Sequence, residues 1–163
     1  MVWQLRRAGV DDLDGIMQIE HAVFPSDAWS RESMRAELAS THNFYLVALS
    51  PAQPERFDAY AGLLAPRGAT QADIQSVAVV ETARRQGLAR TLVQSLVAEA
   101  RDRGAREIFL EVRVDNPNAA SLYDSLGFER IAVRKGYYQP DNVDAQVMRL
   151  TIREPKTSPA VGA

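Results

Sequence analysis

The sequence predicts an α/β domain built on a mixed sheet. Three observations predict it. Apolar runs of strand length stand at Phe44–Leu49, Phe57–Ala65 and Asp73–Val80. Between and after them lie stretches whose apolar residues recur at helical spacing. Finally, Asp73–Gly104 reads as one continuous unit of strand, glycine-bearing turn and long amphipathic helix, followed by an alternating strand over Arg106–Val114. With 163 residues, of which 46% are hydrophobic and 25% charged, the chain has the composition of one globular domain with a sizeable core. That domain is expected over residues 1–153. Residues 154–163, with two prolines and mostly small side chains, are expected to be a disordered tail.

In order, Trp3–Arg7 is a short first strand. Asp11 and Asp12 are placed to cap a helix carrying Leu13, Ile16, Met17 and Ile19, with Glu20 near its end. Val23–Trp29 breaks that helix, and Ser30 starts a second one that runs to about Ala39. Phe44–Leu49 and Phe57–Ala65 form a hairpin across the two prolines of Pro51–Glu55. Arg84–Arg90 opens a long helix in which Leu88, Leu92, Val93, Leu96, Val97 and Ala100 share a face, and Gly104 stops it. Along Arg106–Val114, Ile108, Leu110, Val112 and Val114 point one way and Phe109, Glu111 and Arg113 the other. Asn116 precedes a helix that carries Ala119, Ala120, Leu122, Tyr123 and Leu126 and ends at Gly127. Phe128–Val133 and Ala145–Ile152 pair as the last strands, with Tyr137 and Tyr138 in the loop between them.

Composition narrows the chemistry. A net charge of −2 argues against a nucleic-acid binder that relies on neutralising phosphates, and is compatible with a basic peptide partner. No cysteine is present, which excludes disulfides, thiolate metal sites and a cysteine acyl-enzyme. With only His21 and His42 as imidazoles, no metal is expected. Nothing resembles a signal peptide or a membrane span, so a cytoplasmic protein without membrane partners is expected.

The turn after Val77-Ala78-Val79-Val80 has the physics of an anion site. The first amides of a helix lack intrahelical partners, and the helix dipole is positive there. Gly87 allows close approach, and Arg85 and Arg90 add charge. Neither the Walker pattern nor the dinucleotide fingerprint is present. An Arg-rich surface turn opening an ordinary helix explains the same residues equally well.

Arg84-x-x-Gly87-x-Ala89 after a strand resembles the acetyl-CoA signature of the GNAT superfamily of N-acetyltransferases. A more specific resemblance lies in EIFLEVRVDNPNAASLYDSLGF at residues 107–128, with its Asn116-x6-Tyr123-x3-Gly127-Phe128 spacing, and in Gly136-Tyr137-Tyr138. The match is nearest to RimI-type enzymes and extends over residues 3 to about 152. The resemblance implies a mostly antiparallel sheet with one splayed parallel strand pair and flanking helices. It also implies acetyl-CoA as co-substrate and, as acceptor, the N-terminal alanine of a basic ribosomal small-subunit protein, attacked directly in a ternary complex. By the same resemblance Glu111 is the base and Tyr123 the acid that serves the leaving thiolate. Val77, Ala78 and Val79 offer backbone to the cofactor, Arg85, Gln86, Gly87, Leu88, Ala89 and Arg90 hold its pyrophosphate, and Asn116 holds its pantetheine arm or caps the next helix. Glu20, Trp29, Tyr137 and Tyr138 would line the substrate groove. From position alone, Glu111 reads more readily as a partner of Arg113 on the same strand face, and the motif reverses that; the plain reading of Tyr123 is a packing residue. Two departures stand out: Ala89 replaces the commoner glycine, and the segment before Trp29 differs from the tighter Phe-Pro-Trp-Ser spacing of some relatives. The same chemistry on a small amine or a lysine, and a non-catalytic CoA-binding domain, remain as alternatives.

Overall fold

A computed structural model describes residues 2–153. The tail expected over 154–163 lies outside the described residues. The strands are β1 (Gln4–Arg7), β2 (Asn43–Leu49), β3 (Phe57–Leu64), β4 (Gln71–Val79), β5 (Glu107–Arg113), β6 (Glu129–Tyr138) and β7 (Val143–Thr151). The helices are α1 (Leu13–Val23), α2 (Arg31–Ala39), α3 (Leu88–Asp102) and α4 (Pro117–Ser125). One sheet runs β1-β2-β3-β4-β5-β7-β6, antiparallel throughout except for the parallel β4–β5 pair. None of the described helices is long and apolar enough to cross a membrane.

Strand alternation gives the sheet two apolar faces, and each is covered by a pair of helices. On one face Leu46, Ala61, Ile74, Ile108 and Met148 pack against the Leu88–Leu92–Leu96 stripe of α3 and against α4. On the other, Tyr45, Val47, Tyr60 and Ala78 pack against Leu13, Ile16 and Met17 of α1 and Met34 of α2. Each fully buried aliphatic side chain contributes roughly 1.5–3 kcal/mol against exposure. The two layers therefore rest on the same periodicities that the sequence displays.

β4 changes face partway along. Ala72 and Ile74 lie in the α3 core, yet Ala78, of the same parity, lies in the α1–α2 core. The register explains it: Gly62 pairs Ser76 while the next residue, Leu63, pairs Ile74, so Gln75 is the extra residue of a β-bulge. The bulge comes just after Asp73, the last β4 residue paired to β5.

Local chemistry differs from expectation in four places. Asp12 does not cap α1. Its carboxylate instead accepts from the Gly9 amide at 2.9 Å and ion-pairs with Arg6 at 2.8 Å. α3 begins at Leu88 rather than at Arg84, because Arg85 and Gly87 both have positive φ (63° and 81°) and cannot be helical. Val114 lies past the end of β5 and is 52% exposed, so it does not continue the buried row of Ile108, Leu110 and Val112. Tyr137 and Tyr138 end β6 rather than sitting in a loop; Tyr138 pairs Val143 across the hairpin.

Gly62 has a packing role. It pairs Tyr45, and a Cβ there would meet that ring at 2.3–2.8 Å. Tyr45 is buried and stacks on Tyr60, with centroids 6.3 Å apart, so it has no free direction in which to yield. Gly62→Ala should therefore destabilise the fold by about 1–3 kcal/mol, seen as a lower urea midpoint at unchanged slope.

Candidate active site

The site forms where β4 and β5 part. Their pairing covers only Gln71–Glu107, Ala72–Ile108 and Asp73–Phe109. Beyond that, β5 keeps β7 as its partner through Arg113, and β4 keeps β3 through Val79. The facing edges thus carry backbone amides and carbonyls that no strand satisfies. Two cavities occupy the gap. One, of about 470 Å³, is bounded by Glu20, Trp29, Ser76, Glu111, Tyr123 and Tyr138. The other, of about 1150 Å³, runs from Val77 and Val79 to Arg85, Gly87, Ala89 and Arg90. Val77, Arg113, Asn116 and Tyr123 line both, so the two are one continuous cleft.

At the larger end, Arg84 Nε donates to the Val79 carbonyl at 3.0 Å and anchors the turn to β4. Positive φ at Arg85 and Gly87 then turns the chain into α3. The first bond of α3 runs from Thr91 N to Gly87 O at 3.1 Å, which leaves the amides of Leu88, Ala89 and Arg90 without helical partners. A Cβ on Gly87 would meet nothing within 4 Å, so φ and not crowding selects glycine there. Arg90 Nη2 donates to Ser125 Oγ at 2.7 Å and ties the start of α3 to the end of α4. Gln86 and Ala78 stand apart from the rest. Gln86 reaches back to the Thr82 carbonyl at 3.5 Å, and the Ala78 side chain is buried on the far face; neither lines the cleft. Asn116 Oδ1 accepts from the Ala119 amide at 3.2 Å, so it caps α4 while also lining the cleft.

Glu111 points into the smaller cavity from β5, but its partner is not Arg113. Arg134 Nη1 on β6 reaches Glu111 Oε1 at 3.2 Å, so the carboxylate lines the cavity as one half of an ion pair. Arg113 is instead held by three carboxylates, Asp115 at 3.0 Å, Asp27 at 3.2 Å and Asp141 at 3.4 Å, and lies over the Tyr138 ring at 5.2 Å. Asp115 foremost, and then Asp27, push the guanidinium pKa further up, and Arg113 in turn lowers that of Asp115. Ser26 Oγ donates to Asp141 at 2.8 Å, so the segment after α1 and the β6–β7 hairpin are joined over the cleft.

Tyr123 is buried in α4 with its ring edge-on to Phe128. Burial pushes its phenol up to about 12, and its hydroxyl has no hydrogen-bond partner among the described residues. Tyr137 and Tyr138 meet edge-to-face at 5.0 Å, and Arg134 lies over Tyr137 at 4.6 Å. Glu20 is 1% exposed yet lines the smaller cavity. It accepts from the Trp29 amide at 2.8 Å and from the Tyr60 hydroxyl. Burial raises its pKa, against the opposing pull of those two hydrogen bonds. Tyr60 Oη lies 2.9 Å from Ser76 Oγ.

The structure thus gathers Glu20, Trp29, Glu111, Tyr123, Tyr137 and Tyr138 around one cavity, and most of the turn residues around its neighbour. Sequence reasoning missed Ser76 and Tyr60, which sit in strands that read as core, and the placement of Arg113 at the junction of the two cavities. Only the β3–β4 register and contacts distant in sequence reveal them.

The acetyltransferase (GNAT) family model matches residues 13–128. The N-alpha-acetyltransferase RimI of Mycobacterium tuberculosis is 31% identical over 88% of this chain and 89% of its own length. An uncharacterized Mycobacterium leprae protein is 35% identical over 85% of this chain, which spans only 38% of that longer protein. The crystal structure of the ribosomal-protein-S18-alanine N-acetyltransferase from Escherichia coli superposes with a TM-score of 0.81 at 27% identity, covering 94% of this chain and 96% of that one. With the splayed strands, the turn before α3 and a family model that covers most of the described residues all in agreement, the chain belongs to the acetyltransferase (GNAT) family.

Proposed function

We propose that the chain transfers the acetyl group of acetyl-CoA to the α-amine of a protein N-terminus beginning with alanine, the acceptor being a basic ribosomal small-subunit protein. The observation that carries this reading is the continuous cleft with an anion-binding turn at one end, carboxylates and aromatic rings at the other, and Tyr123 between. The names of the RimI relative and of the Escherichia coli enzyme support the choice of acceptor.

The residues present fit the co-substrate. The partnerless amides of Leu88, Ala89 and Arg90, with Arg85 beside them, suit a pyrophosphate. The free edge of β4 past Asp73 suits an amide-rich arm, which can bond to it like an added strand. In the transfer, the lone pair of the neutral amine attacks the thioester carbonyl carbon, the C–S bond breaks, and the nitrogen loses a proton. Glu111 takes that proton and Tyr123 supplies one to the departing sulfur. A phenol raised to about 12 stays protonated across the working range and is ready to donate. It is also a weak acid towards a thiolate whose conjugate acid is near 8.5, so its contribution depends on placement within hydrogen-bond reach.

An α-amine has a pKa of about 8 and a lysine amine about 10.4, so the free base favours the α-amine by roughly two orders of magnitude at neutral pH. A carboxylate base suffices for the former. Asp27, which lines the cleft, and Asp141, which joins it on Arg113, would steer a basic peptide.

Three outcomes are expected. On a peptide carrying both a free N-terminal alanine and an internal lysine, mass spectrometry should find acetyl on the α-amine first. Acetylation of the lysine first, or a polyamine with higher kcat/KM, replaces this acceptor with the alternative. Gly87→Asp should weaken acetyl-CoA by roughly tenfold or more, since a new like charge at a partly shielded site is worth on the order of 1–4 kcal/mol. Calorimetry that finds unchanged affinity in the folded variant removes the turn from the site. Tyr123→Phe should lower kcat by about ten- to hundredfold with little change in the acetyl-CoA KM. A near-wild-type kcat would rule out the acid role.

A further inference from the structure

The buried side chains behind the smaller cavity carry an inference that rests on the acetyl-transfer reading and deepens it. We propose that Ser76, Tyr60 and Glu20 form a polarised hydrogen-bond chain that presents the Ser76 hydroxyl oxygen to the cleft as an acceptor for one N–H of the substrate amine.

The polarity follows from counting protons. Glu20 as a carboxylate only accepts. Its Oε2 takes the Trp29 amide and its Oε1 takes the Tyr60 hydroxyl. Tyr60 has a single hydroxyl proton, and Glu20 has it. The bond between Tyr60 Oη and Ser76 Oγ, 2.9 Å long, must then be donated by Ser76. That commits the Ser76 proton as well. What Ser76 shows to the cavity it lines is lone pairs, so it seeks a donor there. Three buried or half-buried oxygens thus pass the preference of Glu20 from one side of the sheet to the cleft.

A neutral primary amine attacking a carbonyl has one lone pair and two N–H groups. The lone pair goes to the carbonyl carbon and one N–H faces Glu111. The second N–H is the donor that Ser76 lacks. Held at both N–H groups, the nitrogen has its lone pair aimed, and the positive charge that builds on it during attack is stabilised through the chain by the Glu20 carboxylate. No proton need leave along the chain. Ser76 touches the substrate, whereas Tyr60 and Glu20 act through it as positioning residues.

The surroundings are those such a chain requires. Tyr60 is fully buried, and burial together with Glu20 pushes its phenol well above its ordinary range, so its proton stays in the chain. The ionisable groups facing Glu20 are Asp27, which opposes its charge, and His21, Tyr60 and Tyr45, of which the last is itself pushed up chiefly by burial. The bulge at Gln75 makes the arrangement possible, since without it Ser76 would point to the α3 face, away from Tyr60.

The test compares the wild-type chain with Ser76→Ala, Ser76→Thr and Tyr60→Phe on two peptides, one beginning with alanine and one with N-methylalanine, whose neutral amine has a single N–H. Ser76→Ala and Tyr60→Phe should lower kcat/KM on the alanine peptide by about ten- to hundredfold, mainly in kcat, with acetyl-CoA affinity unchanged by calorimetry. The preference for alanine over N-methylalanine should fall by a similar factor, and Ser76→Thr should restore most of both. An unchanged rate on the alanine peptide, or equal losses on the two peptides, overturns the proposal in favour of a packing role. If Tyr60→Phe does not fold, Ser76→Ala decides, because it removes only a hydroxyl at the cleft wall. A wild-type chain that acetylates no peptide overturns the acceptor reading, and the chain is then judged without turnover. The Glu20 carboxyl, followed by carbon NMR, should titrate above the ordinary carboxylate range and move higher still in Tyr60→Phe. A midpoint unmoved by Tyr60→Phe overturns the chain.

Discussion

The parting of β4 from β5 is the constraint on which the rest depends. A parallel pair that stays closed for three residue pairs and then opens leaves two strand edges inside the molecule whose hydrogen-bonding groups no facing strand meets. Two features hold the gap open. The bulge at Gln75 turns β4 just past the last pair, and β7 holds β5 straight from Glu107 to Arg113 on its other side. α3 and α4 pack against the same side of the sheet, one following each of the two strands, so their packing fixes the width of the opening. Such unmet edges are costly in a closed core and useful only where an extended, amide-bearing molecule can fill them.

The bulge has a second effect. It moves Ser76 to the face where Tyr45 and Tyr60 stack, and it places Gln75 where its Oε1 receives the Tyr45 hydroxyl at 2.7 Å and its Nε2 donates to Glu37 at 3.2 Å. Both tyrosines therefore end in carboxylates of the helices that cover their face, Tyr60 at Glu20 of α1 and Tyr45 through Gln75 at Glu37 of α2. Buried polar groups of this kind are expensive unless every member is paired, which ties the position of the cleft wall to the packing of α1 and α2. Gly62 belongs to the same device, because only the absence of a side chain there gives the Tyr45 ring its place.

Much of the architecture was legible in the sequence for a local reason: helical and strand periodicities report which face is buried without reference to the rest of the chain. The stripe from Leu88 to Ala100, the Ser30 cap and the Asn116 cap are of this kind. Tyr137 and Tyr138 belong to β6 rather than to a loop because the strand resumes beyond the irregularity that Gly136 marks with its positive φ, which only the pairing with β7 shows. Arg113 looked like a neighbour for Glu111 because the two share a strand face. Its partners Asp27 and Asp141 lie 86 and 28 residues away, and no pattern within a strand points to them. Ser76 was hidden for a similar reason, since a bulge is a property of two strands in register and β4 alone reads as an unbroken run.

The charges around the cleft set two requirements against each other. Around Arg113, where the two cavities meet, three carboxylates face one guanidinium, so the cleft favours an approaching cation. A cationic amine is drawn in by that field, yet it must shed a proton before it can attack, and the same field opposes the loss. An acceptor whose amine is close to neutral in water suffers least from this conflict, which on the proposed reading favours an α-amine over a lysine. The interior moderates the conflict further. Arg134 pairs with Glu111, Arg113 with the three carboxylates around it, and Glu20 is held by the Trp29 amide and the Tyr60 hydroxyl. Negative charge inside the cleft is thus presented as directed hydrogen-bond acceptors. Such acceptors orient a neutral amine without holding its proton in place.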